Sequence, residues 1–240
     1  MKRAEQLLRD RLDQTPLSAS ASACARVMQR SVGFTIADHV TNVNGGMLVM
    51  STFGRGRTGA ILGSVTVDVL REMFGPLVLV GPRASTDRVD FRGELIVPVD
   101  GSNRSETTLA LGAAWGIGFE SRPWVVEVHD PAQVQVPDTT ESSYAARLAR
   151  DISRRSHHDA QYEVLHSNHP GKAIADFAES IGASLIVAST HGRTGLARLT
   201  LGSVAMEIVR HAPCPVVLSR PPTLLRESPG AVRPFGTVNA

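Results

Sequence analysis

Residues 184–195 read Ser184-Leu185-Ile186-Val187-Ala188-Ser189-Thr190-His191-Gly192-Arg193-Thr194-Gly195, and residues 201–204 read Leu201-Gly202-Ser203-Val204. An apolar run of strand length gives way to a glycine loop, and the loop to a Gly-Ser pair heading an amphipathic segment. That succession is the strand-to-helix turn of a parallel α/β sheet, in which ligands lie outside the carboxyl ends of the strands.

The same succession occurs earlier in the chain. Ile36-Ala37-Asp38 followed by Met47-Leu48-Val49-Met50-Ser51-Thr52 returns as Ile174-Ala175-Asp176 followed by Ser184 to Thr190, an offset of 138 residues. Gly54 and Leu62-Gly63-Ser64-Val65 answer Gly192 and Leu201-Gly202-Ser203-Val204, with one residue fewer in the first copy, so the offset becomes 139. Val69-Leu70-Arg71 and Pro76-Leu77-Val78-Leu79 return as Ile208-Val209-Arg210 and Pro215-Val216-Val217-Leu218. A register held across helix, strand, loop, helix and strand identifies an internal repeat.

The copies are unequal. Upstream of the second lie a strand at Glu94–Val99, a helix at Ser105–Gly116 and a strand at Pro123–Val128, for which the first has no room. Apolar runs at Leu95–Val97, Trp124–Val128, Tyr162–Leu165, Leu185–Ala188 and Pro215–Leu218 alternate with helical patterns. They predict a Rossmann-like, doubly wound, five-stranded parallel sheet in the second repeat, preceded by an incomplete copy of the same unit. The division is an incomplete repeat over 1–82, a linker over 83–92, a complete domain over 93–220 and a loose Pro/Gly-rich tail over 221–240. Residues 2–14 place Leu7, Leu8 and Leu12 on one face of an amphipathic helix matching Tyr144–Ser153. A strand expected at Arg26–Gln29 would, in a full unit, be separated from Met47–Met50 by two others. Either the first lobe rearranges, another chain supplies strands, or the sequence starts downstream of the ancestral beginning.

Composition sets the outer limits. Of 240 residues, 42% are hydrophobic and 20% charged, which suits a globular α/β protein. A formal charge of +2 with Lys and Arg interspersed among Asp and Glu argues against nucleic acid as a partner. No apolar run reaches the roughly 18 residues that span a bilayer, and the N-terminal residues do not form a signal-peptide core. A cytoplasmic protein without a membrane partner is expected. Cys24 and Cys214 lack CxxC spacing, and His157, His158, His166 and His169 match no zinc pattern.

Gly192, nine residues, then Gly202-Ser203 is the spacing at which the chain resembles the universal stress protein family, whose nucleotide-binding pattern is Gly, two residues, Gly, nine residues, Gly, Ser or Thr. Ser189 stands where that pattern has its first glycine. The physical basis is that glycine lets backbone approach phosphate, while N–H groups at the start of the helix at Gly202, Ser203 and Val204 donate to anionic oxygens. The resemblance implies ATP as ligand, with or without Mg²⁺. It also implies an acidic loop at Pro98-Val99-Asp100 beside the nucleoside, the backbone at Val128 against the adenine edge, Ala188 on the floor and His191 against the nucleotide. Taken singly, Gly192 is a turn, Ser203 a helix N-cap and Asp100 a cap for the next helix. Together they point to binding.

The first copy keeps Gly54, Gly63 and Ser64 but has Phe53 in place of His191 and no counterpart of Asp100, so no complete site is expected there. The resemblance also implies pairing of terminal strands, Leu77–Val80 with Val216–Ser219, between repeats or in a homodimer. No Walker lysine, nucleophile elbow or catalytic base is present, which limits chemistry to slow ATP hydrolysis at most. An interaction scaffold that binds no nucleotide is the alternative, favoured by Ser189 and by the incomplete first copy.

Overall fold

Strands rich in Val, Ile and Leu with no polar face require cover on both sides, and that requirement organises the molecule. A computed structural model of the chain describes residues 2–13, 30–43, 47–52, 62–73, 75–85, 90–132, 138–156, 158–190 and 201–220. Its elements run α1 (Lys2–Asp13), α2 (Val32–Thr41), β1 (Leu48–Ser51), α3 (Ser64–Glu72), β2 (Leu77–Val80), β3 (Glu94–Val99), α4 (Asn103–Glu106) and α5 (Thr108–Phe119). They continue with β4 (Arg122–His129), α6 (Asp138–Ser156), β5 (Gln161–His166), α7 (Pro170–Ser180), β6 (Ala183–Ser189), α8 (Ser203–His211) and β7 (Val216–Ser219). The single helix expected at Ser105–Gly116 is broken at Thr107 into α4 and α5. The strand expected at Arg26–Gln29 and the tail lie outside the described residues.

The strands form one sheet in the order β1-β2-β7-β6-β3-β4-β5. From β7 to β5 every pairing is parallel, which is the expected five-stranded sheet. β1 and β2 extend it, parallel to each other and joined to β7 by what is, among the described residues, the one antiparallel pairing. The pairing expected of Leu77–Val80 with Val216–Ser219 is thus made within one chain, through Leu77↔Leu218, Val78↔Val217 and Leu79↔Val216. At the offset of 139, Val78 and Val217 are each other's counterparts, so a local two-fold axis runs through that pair.

Side chains alternate across this sheet. Ile96, Val126, Ile186, Ala188 and Leu218 join a core with the helices α2, α3, α7 and α8. On the opposite face Val97, Val125, Leu185, Val187 and Val217 pack beneath α5 and α6. The helices reach the sheet through apolar stripes spaced three and four residues apart, such as Ala145, Leu148, Ala149 and Ile152 in α6. Each fully buried Leu or Ile here contributes about 2 kcal/mol. Trp115 packs with Phe91 and Phe119, and Trp124 donates its indole N–H to Glu94 at 2.7 Å, so both tryptophans serve the core.

The two-fold correspondence reaches the helix pairs. A Cβ on Gly171 of α7 would lie 2.6 Å from Glu207 Cβ and 2.8 Å from the Val204 carbonyl oxygen of α8. Gly33 of α2 meets Asp68 of α3 in the same way, and these residues correspond at offsets of 138 and 139. Gly171→Ala is expected to push α7 off α8 and cost about 2 kcal/mol. Gly118→Ala in α5, where a Cβ meets nothing within 4 Å, is expected to stabilise by about 0.5 kcal/mol. Urea unfolding of the two variants would show opposite displacements of the midpoint; equal displacements would refute the close α7–α8 contact.

Candidate functional site

Between β3 and β6 the direction of winding changes: the chain leaves β3 for α4 and α5 on one face, and leaves β6 for α8 on the other. A crevice opens at such a switch point, on the carboxyl edge of the sheet. The pairings Val99↔Glu127 and Ser189↔Ser219 bring the strand ends to that edge. Pro98, Val99 and Asp100 end β3, Val128 lies near the end of β4, Ala188 and Ser189 end β6, and Gly202, Ser203 and Val204 start α8. These nine sequence-predicted residues therefore share one edge. The two others, His191 and Gly192, lie outside the described residues.

Backbone hydrogen bonds fix the head of α8. Thr190 N–H donates to the Ser219 carbonyl at 3.0 Å, and Gly202 N–H donates to the Thr190 carbonyl at 2.9 Å. Gly202 is the N-cap, with φ −63° and ψ 154°, and Ser203 is the first helical residue, so the serine is not the cap. The first N–H groups of a helix lack partners within it and carry the positive end of its dipole. Val204 is partly exposed beside them. The corresponding positions in the first half have the same closure: Thr52 N–H to Val80 at 3.1 Å and Gly63 N–H to Thr52 at 2.9 Å. No counterpart of β3 stands next to β1 among the described residues.

Asp100 does not cap α4; Ser102 does, accepting from Ser105 N–H at 3.2 Å. The Asp100 carboxylate instead accepts from the Ser102 hydroxyl at 2.6 Å and the Ser102 N–H at 3.1 Å. Its own N–H donates to the Ser105 hydroxyl at 3.2 Å. The carboxylate is thereby held in a tight turn with Gly101 at φ 78°, a left-handed conformation suited to glycine.

Sequence reading missed a polar group on the α6 side of this edge. The Tyr144 hydroxyl donates to Glu106 at 2.9 Å, and His129 Nε2 lies 3.3 Å from the carboxylate of buried Glu127. Burial raises the Tyr144 hydroxyl far above its ordinary pKa, with Glu106, Glu127 and Asp100 adding to the effect. Tyr144 therefore stays protonated and acts as a donor. Only the Asp100-x-Ser102 spacing was a local signal for any of this; the contact of Tyr144 with Glu106 spans 38 residues. On the opposite edge Cys214 is buried, which pushes its thiol up to about 12 and removes it from thiolate chemistry. Among the described residues no group of three His, Cys, Asp or Glu could hold a metal ion, and no helix is long and apolar enough to cross a membrane.

A mostly parallel sheet with helices on both faces and a glycine-headed helix at its carboxyl edge defines a Rossmann-like α/β protein. The profile of the Universal stress protein family matches residues 93–220, and the chain belongs to that family. Universal stress protein Rv2623 of Mycobacterium tuberculosis is 28% identical over 185 residues, covering 72% of this chain and 61% of the relative. Universal stress protein Mb2019 of Mycobacterium bovis is 26% identical over 238 residues, covering 91% and 72%. This chain thus spans about three fifths of the length of the first of these. The crystal structure of a universal stress protein from Archaeoglobus fulgidus has the same fold, with a TM-score of 0.65 and 19% identity over 92% of this chain and 77% of that one.

Proposed function

We propose that the carboxyl edge of residues 93–220 binds an adenine nucleotide, ATP with or without Mg²⁺, and that the protein acts in stress response or signalling. Residues 1–82 are then an incomplete copy of the same unit, 83–92 join the two, and 221–240 form a tail. The observation that carries the reading is the meeting, on one edge, of the stapled α8 start and the fixed carboxylate of Asp100. Gly202, Ser203 and Val204 receive the phosphates, with Ser189, His191 and Gly192 closing the loop around them. Pro98, Val99 and Asp100 hold the nucleoside, Val128 offers its backbone to the adenine edge, and Ala188 forms the floor. Slow ATP hydrolysis is the most chemistry this reading assigns to the site. The scaffold reading keeps in its favour Ser189 at the first glycine position and the incomplete first copy.

Asp100→Asn retains an oxygen for Ser102 but exchanges a carboxylate oxygen for a donor. Its affinity for ATP is expected to fall about tenfold, or 1.4 kcal/mol, with the turn preserved. Fluorescence titration with a labelled ATP analogue reads this; an affinity equal to wild type would remove Asp100 from the site.

A further inference from the structure

α4 is a single turn of helix, Asn103–Glu106, and one turn has little stability of its own. It nevertheless carries the turn that fixes Asp100. The Ser102 hydroxyl, at the N-cap of α4, donates to the Asp100 carboxylate at 2.6 Å and accepts from Ser105 N–H at 3.2 Å. The Ser105 hydroxyl, inside α4, accepts from Asp100 N–H at 3.2 Å. A slip or rotation of α4 therefore moves the carboxylate. Behind the turn the Thr107 hydroxyl donates to the Arg104 carbonyl at 2.7 Å and the Thr108 hydroxyl to the Ser105 carbonyl at 2.6 Å. None of these bonds reaches beyond residues 100–108.

Tyr144 supplies a tie from α6. Its hydroxyl donates to Glu106, the last residue of α4, at 2.9 Å. The support is firm, since Ala145, Leu148, Ala149 and Ile152 are buried and seat α6 on the sheet. The tie also acts against a repulsion. The carboxylates of Glu106, Glu127 and Asp100 all lie close enough to act on this one hydroxyl. Like charges so placed push apart, and a displaced Glu106 would carry α4 and the Asp100 turn with it. A neutral phenol donates to Glu106 without adding another charge.

On the reading that this edge takes an adenine nucleotide, we propose that Tyr144 is a positioning residue for it, holding Glu106, and through α4 the Asp100 carboxylate, in place for the nucleoside. Tyr144 acts through Asp100 and does not itself touch the ligand. The phosphate end, at the start of α8, is independent of it.

Tyr144→Phe removes the hydroxyl and keeps the ring, and its affinity for ATP, read by isothermal titration, is expected to fall about fivefold. In a chain already carrying Asp100→Asn the same substitution should change nothing further. The double variant should then be about tenfold weaker than wild type, where independent losses would multiply to roughly fiftyfold. Glu106→Ala should reproduce the Tyr144→Phe loss, and Glu106→Gln, which still accepts from the phenol, should retain most of the wild-type affinity. Melting followed by circular dichroism checks that each variant folds. Wild-type affinity in both Tyr144→Phe and Glu106→Ala, or losses that multiply with Asp100→Asn, would overturn the positioning role and leave the nucleotide reading intact. A wild-type chain that binds no ATP would overturn both.

Discussion

Gly81→Ala is expected to destabilise the protein by about 3 kcal/mol, lowering the melting temperature by roughly 6–12 °C for a chain of this size. Gly81 follows β2, and a Cβ there would fall inside the contact shell of the Val209 carbonyl oxygen in α8. The obstacle is backbone, so no side chain can rotate away, and relief requires β2 to move from β7 or α8 to shift along the sheet. Arg220 occupies the corresponding position after β7. There the guanidinium donates to the Leu70 carbonyl at 2.8 Å and the Arg71 carbonyl at 3.3 Å. Burial lowers the Arg220 pKa from its ordinary value, and Glu72 opposes the shift. Calorimetric melting of Gly81→Ala checks the prediction; a wild-type melting temperature would mean that the two halves are not tightly joined.

The largest expected effect on binding is that of Gly202→Glu. The Gly202 backbone, at φ −63° and ψ 154°, is open to any residue, and a carboxylate at a helix N-terminus is favoured by the dipole. The fold should therefore hold to within about 0.5 kcal/mol. The same carboxylate would occupy the space assigned to phosphate and repel it. At an effective dielectric constant of about 20, charges roughly 5 Å apart repel by about 3 kcal/mol, which corresponds to a loss of affinity above 100-fold. Retained stability with lost binding would separate the role of this helix start from its part in the fold.

Much of the fold was legible because its signals are local. Most of the strands are short apolar runs with glycine or proline beside them, and duplication of Leu-Gly-Ser-Val pointed to a second use of one βα turn. The five-stranded parallel sheet followed from such runs, while the pairing of Leu77–Val80 with Val216–Ser219 followed from the resemblance to the universal stress proteins. Helix boundaries were less visible: the break at Thr107 depends on the turn that Asp100, Ser102 and Ser105 build among themselves. Close packing at Gly33, Gly81 and Gly171 could not be read at all, since a glycine in a helix or after a strand does not announce what approaches it. At the candidate site the glycines and Asp100 stood out by spacing. Tyr144 and Glu106 meet only through tertiary contact and carry no motif.

Adenine-nucleotide binding at the carboxyl edge of residues 93–220 is read by isothermal titration of ATP, with and without Mg²⁺, into nucleotide-free protein and into Gly202→Glu. Saturable binding at one site per chain, lost in the folded variant, is the predicted result. Absence of binding to the wild-type chain, or equal binding to both, would contradict it.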